Sequence, residues 1–125
     1  DEPLPGVGFG MGDVTIRDFL TVRGLIPPYM PPTMLYLAAT APKLALAAQA
    51  LAGELRRAGI NTAIDFGERK LGDQIKTASK HKIPYLIVVG ENELTGGEFT
   101  VRNLATGAEE RVLRDSLAGY LNSLK

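Results

Sequence analysis

Cations crowd into one short stretch of this sequence. Residues 69–82 hold Arg69, Lys70, Lys76, Lys80 and Lys82 against a single acid, Asp73, although the fourteen Lys and Arg of the whole chain are balanced by fourteen Asp and Glu. A local excess of positive charge on a neutral protein is a place for a phosphate backbone, because each neutralised phosphate releases condensed counterions. The ordinary reading of such a run is a solvated helix face, and that reading is preferred for Lys80 and Lys82. Arg102 stands in an alternating segment, Phe99 to Leu104, out of phase with Phe99 and Val101. That phase turns it off the buried face. There its guanidinium can donate two parallel hydrogen bonds to a planar acceptor, or pair with Glu91 or Glu93.

Other chemistries are excluded early. There is no cysteine, so no disulfide framework and no thiolate metal site can form. The single histidine, His81, sits between Lys80 and Lys82 and reads as a surface residue. No Ser/His/Asp or paired-carboxylate arrangement emerges, and Glu109-Glu110 read as a solvated strand end. The run Gly6-Val7-Gly8-Phe9-Gly10-Met11-Gly12 has neither the phosphate-loop nor the dinucleotide spacing. Its period of two implies a strand with one bare face. A flat ligand or another backbone can lie against such a face, with close packing as the equal alternative.

The elements that must hold these residues follow from pattern. At 125 residues the length suits one domain able to bury about two-thirds of its unfolded surface. With 45% hydrophobic and 22% charged residues the composition is that of an ordinary globular protein. No apolar run approaches the ~20 residues of a membrane span. The chain opens on Asp1 without a signal-like stretch, which suggests a cut-out or processed piece of a cytoplasmic protein. Four prolines within Ile26-Pro27-Pro28-Tyr29-Met30-Pro31-Pro32 make a semi-rigid linker. It divides residues 1–25 from residues 33–125.

After the linker, Met34 to Ala39 reads as a strand. Thr40 is a candidate helix cap, and Leu44, Ala48, Leu51, Leu55 and Ala58 mark one helix face. Gly59 suits the helix end. Asn61 to Phe66 is a second strand. Leu71, Ile75, Ala78 and Lys82 mark a second helix. Tyr85 to Val89, apolar on both faces, belongs mid-sheet. This β-α-β-α-β order implies parallel strands with right-handed crossovers. Phe99–Leu104 and Glu109–Leu113 form a hairpin about Ala105-Thr106-Gly107. Asp115 or Ser116 caps a last helix whose apolar face is Leu117, Tyr120, Leu121 and Leu124. The expected fold is α/β, a mixed sheet of about five strands with three helices.

Two groups of residues resemble known families. Gly8-Phe9-Gly10-Met11-Gly12-Asp13-Val14, followed by Ile16-Arg17-Asp18-Phe19-Leu20, resembles motif 3 of the class II aminoacyl-tRNA synthetases. That resemblance implies that Gly8, Gly10 and Gly12 floor an ATP site in a longer parent. The usual Glu-Arg ending is here Asp13-Val14, so the ATP-clamping arginine is missing from its place. Gly67-Glu68-Arg69-Lys70-Leu71-Gly72, Lys82 to Glu93, and Thr100-Val101-Arg102-Asn103-Leu104-Ala105-Thr106-Gly107 are similar to the C-terminal anticodon-binding domain of the histidyl, threonyl, prolyl and glycyl enzymes. Arg-Asn-Leu-Ala-Thr-Gly and the glycine opening favour the histidyl type.

The resemblance implies a division into a catalytic-domain remnant (1–25), the linker (26–32) and an anticodon-binding domain (33–125). It implies binding to the anticodon loop of tRNA(His), with Glu68, Lys76, Glu93 and Arg102 at base-contacting positions and Arg69 and Lys70 beside them. The parent implied is a dimeric ligase using ATP and magnesium. The fragment itself would need no cofactor and would not catalyse. Two rivals remain: an accessory or regulatory binding domain of the same fold, and the corresponding domain of a threonyl or prolyl enzyme. A flavodoxin-type ligand-binding domain ranks lower, for want of a phosphate loop.

Overall fold

The computed structural model describes residues 5–67 and 69–125. Among these, the order is α1 (Asp13–Val22), β1 (Leu35–Ala39), a 3-10 turn (Pro42–Leu44), α2 (Ala45–Arg57), β2 (Thr62–Ile64), α3 (Leu71–Lys80), β3 (Tyr85–Val89), α4 (Glu91–Gly96), β4 (Glu98–Asn103), β5 (Glu109–Leu113) and α5 (Arg114–Ser123). The strands form one sheet in the order β2-β1-β3-β4-β5. β1 pairs in parallel with β2 and with β3, while β3–β4 and β4–β5 are antiparallel. The parallel core with an added hairpin is the architecture expected from the sequence.

Helices cover the two faces unequally. On one face Leu35, Leu37, Ile87, Val89, Phe99, Val101 and Val112 pack with Ala48, Leu51 and Leu55 of α2 and Leu117 and Leu121 of α5. On the other, Tyr36, Ala38 and Leu86 pack with Ala78 of α3, with Leu71 and Ile75 alongside. β1 is therefore apolar on both sides and buried from Leu35 to Ala38. β4 and β5 alternate: Phe99, Val101 and Val112 are buried, and Arg102, Glu109, Arg111 and Leu113 are exposed.

Several local expectations change. The glycine run forms no strand: residues 5–12 are exposed backbone outside the sheet. Period two supplies a pleat but not the neighbouring strand whose hydrogen bonds a ladder needs. Thr40 does not cap α2. The 3-10 turn intervenes, and the Thr40 hydroxyl donates to the Val89 carbonyl at 3.4 Å. Neither Asp115 nor Ser116 caps α5, whose N-cap position is Leu113, and Asp115 lies in its first turn. Ala58 is exposed. The helix count rises from three to five, because α4 is too short to show a period and α1 lies outside the core.

Lys82 is not on the stripe of α3. It follows the helix with φ 55°, in the left-handed region. The Lys82 N–H donates to the Ser79 carbonyl and the Ile83 N–H to that of Ala78. This is the Schellman closure, and α2 ends the same way, with Gly59 at φ 81° in the corresponding position. A lysine there bears a steric penalty that glycine avoids. Lys82→Gly should raise stability by about 0.5–1 kcal/mol after the added unfolded-state entropy, and Gly59→Ala should lower it by about 1 kcal/mol. Urea unfolding midpoints check both.

Candidate nucleic-acid interface

The parallel order sets where a ligand can lie. The chain leaves β1 towards α2 on one face, and it returns from β2 through α3 on the other. Oppositely directed connections leave a crevice at the carboxyl ends of the strands. The cleft there has a volume near 180 Å³ and is lined by Thr40, Pro42, Asp65, Arg69, Lys70 and Gln74, among others. The cation-rich segment thus begins at the mouth of the crevice.

Arg69 is fastened rather than free. Its Nε donates to Asp65 Oδ2 at 2.6 Å and its Nη1 to Thr77 Oγ1 at 3.1 Å. Asp65 also accepts from the Gly67 N–H at 2.8 Å and, more weakly, from the Tyr36 hydroxyl at 3.4 Å. Burial pushes the Asp65 carboxyl up, but the hydrogen bonds from Arg69 and Gly67 and the guanidinium charge outweigh it and hold the group below its ordinary value. Burial, with the Asp65 charge beside it, pushes the Tyr36 phenol up. Lys70 occupies the N-cap position of α3 and is exposed. Lys76 projects from α3 with its side chain 83% exposed, 3.5 Å from Asp73. Glu68 lies outside the described residues.

Sequence reasoning missed Gln74, which is 2% exposed. Its Nε2 donates to the carbonyls of Ala39 and Arg69, both at 2.9 Å. These two bonds tie the start of α3 to the end of β1. Its Oε1 is buried with no partner among the described residues. A polar residue at a core position of the helical stripe was the available signal.

Glu93 lies in the first turn of α4, half-buried, with its carboxylate folded against Gly90 so that a Cβ there would collide with it. Beside it, a shallow hollow of about 260 Å³ is lined by Asn92, Glu93, Gly96, Glu98, Thr100 and Arg111. Arg102 sits on the same open face of the hairpin. Its partner is Glu109, at 3.6 Å across the β4–β5 register, not Glu91 or Glu93. Glu91 instead pairs with Lys43, joining the segments that follow β1 and β3. Arg111, opposite Thr100, is a second cation on this face that the sequence reading passed over.

The result is a shelf and a ridge. The open β4–β5 face carries Thr100, Arg102 and Arg111 without a helix above it among the described residues. α3 stands on the adjoining part of the same face and presents Lys70 and Lys76. In the glycine segment a Cβ at Gly8 or Gly10 would meet nothing within 4 Å. No group of three metal-ligating side chains occurs among the described residues. None of their helices is long and apolar enough to cross a membrane.

Comparison with known proteins decides the family. Residues 34–124 match the model of the anticodon binding domain. The chain belongs to that family. It is 33% identical to the histidine–tRNA ligase of Listeria innocua over 97% of its own length, and 33% identical to that of Thermotoga maritima over 94%. In both cases it spans only 28% of the relative's length. Its fold is similar to histidyl-tRNA synthetase from S. aureus, with a TM-score of 0.77 and 26% identity over 87% of this chain and 28% of that one. An RNA-binding domain of threonyl-tRNA synthetase from Cryptosporidium parvum shares the fold at a TM-score of 0.69 and 23% identity, over 82% of this chain and 26% of that one.

The lowered Asp65 value gives this anticodon-binding-domain protein a stability term with a definite sign. It is fully present above the ordinary carboxylate range near ~4 and is lost as pH falls through the lower folded-state value. Between pH 5 and pH 2, Asp65→Asn should therefore show a shallower fall in urea midpoint than the unaltered chain. Equal slopes would mean that Asp65 is not held as described.

Proposed function

We propose that this chain is the anticodon-binding part of a histidine–tRNA ligase and grips the anticodon loop of tRNA(His). The observation that carries the reading is the juxtaposition of α3, with Lys70 and Lys76, and the open hairpin face with Arg102, inside the segment that matches the family. A single-stranded loop offers phosphates to the cations and unpaired base edges to planar groups. Lys70 and Lys76 position the backbone. Arg102 and Glu93 read base edges, one as a forked donor and the other as an acceptor. Glu68 and Arg69 join them, Arg69 chiefly by fixing the turn before α3 through Asp65.

In this reading residues 1–25 are the end of a catalytic domain, residues 26–32 a linker and residues 33–125 the binding domain. The longer protein is a cytoplasmic homodimer that attaches histidine with ATP and magnesium. Arg102 exchanges its 3.6 Å pairing with Glu109 for a base, a small loss because surface ion pairs contribute little. The threonyl-type alternative has weaker support, since relatives at 33–35% identity are histidine–tRNA ligases.

Binding of the chain to a stem-loop carrying the histidine anticodon should follow a log–log salt slope of about −2, from roughly −0.7 per phosphate over about three contacts. Lys70→Ala should weaken cognate and altered stem-loops by the same factor. Arg102→Ala should cost about 1–3 kcal/mol on the cognate loop and flatten the preference over a loop with one changed anticodon base. Arg102→Lys should restore little, lacking the fork. Equal losses on both loops for Arg102→Ala would overturn the base-reading role.

A separate check concerns catalysis. One glycine segment without a surrounding sheet cannot hold ATP and an amino acid together in reacting geometry. Histidine-dependent pyrophosphate exchange by the chain should stay at background, and exchange above background would count against the division of labour proposed here.

A further inference from the structure

The side of α3 away from the hairpin holds a groove that, Arg69 apart, the described anticodon-contact residues above do not line. Its volume is about 510 Å³, and its walls include Tyr29, Tyr36, Phe66, Arg69, Thr77 and His81. Two aromatic rings on it are open to solvent, Phe66 at 71% exposure and Tyr29 at 62%. Its polar floor is ordered, because Asp65 binds Arg69 and Tyr36 while Thr77 receives a second Arg69 N–H. The one acid among the described residues of the groove is thus engaged by a guanidinium, and His81 adds a further donor at its edge. Groove and crevice share Asp65, Gly67 and Arg69, so the two are continuous around the start of α3.

We infer that this groove takes one unstacked nucleotide of the same single-stranded loop, outside the anticodon triplet, with its base against Phe66 and Tyr29. The inference rests on the RNA-binding reading of the chain. Every base has a π-face, so stacking on an exposed ring gives affinity without selecting sequence. The guanidinium of Arg69, held in the groove wall, faces the phosphate that joins this nucleotide to those in the crevice. A protein segment would fill the groove without needing that cation. A loop strand passing from the hairpin shelf over the start of α3 meets shelf, cation and aromatic groove in that order.

The test uses the whole chain and the stem-loop, in unaltered form and with single abasic substitutions at each loop position outside the triplet. Phe66→Ala should weaken the unaltered stem-loop at least about fivefold, and Phe66→Leu nearly as much, because leucine keeps apolar bulk but has no ring to stack. Tyr29→Ala should add to the loss, whereas Tyr29→Phe should not. At one loop position the abasic RNA should bind the unaltered chain as weakly as Phe66→Ala binds the intact RNA, with no further loss when the two are combined. The cognate preference should survive Phe66→Ala but not Arg102→Ala. Stem-loop binding that is indifferent to Phe66 and Tyr29 would overturn the groove assignment and leave the anticodon reading standing. No stem-loop binding by the unaltered chain at low salt would overturn both.

Discussion

The strand β1 must be covered on both faces, and most of the architecture follows from that requirement. Leu35, Leu37, Tyr36 and Ala38 leave neither side able to meet water. The two crossovers have to supply a helix each, α2 to one face and α3 to the other. Parallel neighbours with right-handed connections reach both faces only if β2 and β3 lie on opposite sides of β1. The crevice at the strand ends is the geometric consequence. A binding site there requires only that the residues opening α3 and those after β1 and β3 have the right chemistry.

Polar ties then fix the crevice. Gln74 holds the start of α3 to the end of β1 through two carbonyls, and Asp65 holds Arg69. These interactions are short in reach and lie at the join between sheet and helix. They make the first turn of α3 a rigid mount for Lys70, and they orient Arg69 while leaving its side chain half exposed. Lys76, by contrast, is an exposed cation on the solvent side. A surface of this kind positions a polyanion well and discriminates poorly.

The hairpin is built differently. β4 and β5 are covered on one face only, so every second side chain is available. Strand placement gives Arg102 a fixed origin, with its cross-strand partner Glu109 at 3.6 Å. Glu93 approaches from α4 because Gly90 has no Cβ to obstruct it. The domain thus places exposed lysines on a helix and the Arg102 guanidinium on an open sheet face.

Much of this was legible in the order of residues. The apolar run Tyr85 to Val89, the three- and four-residue steps from Leu44 to Leu55, and the alternation of Phe99, Val101 and Arg102 each carry their own local geometry. Burial periodicity is a short-range property, so strand, helix and hairpin could be assigned and so could the face on which Arg102 lies. What needed a third dimension was every question of partner. The alternation of Gly6 to Gly12 has the period of a strand, yet a strand exists only where another supplies its hydrogen bonds. Thr40 has a cap's chemistry, but in the fold its hydroxyl faces Val89. Arg102 pairs with Glu109 rather than Glu93 because the β4–β5 register, not sequence distance, sets which carboxylate is within reach. Gln74 falls on the apolar stripe of α3, but its donors find Ala39 and Arg69 only once α3 lies on β1. Local periodicity wrote the elements, and long-range pairing, which depends on where the elements meet, decided what each polar side chain does.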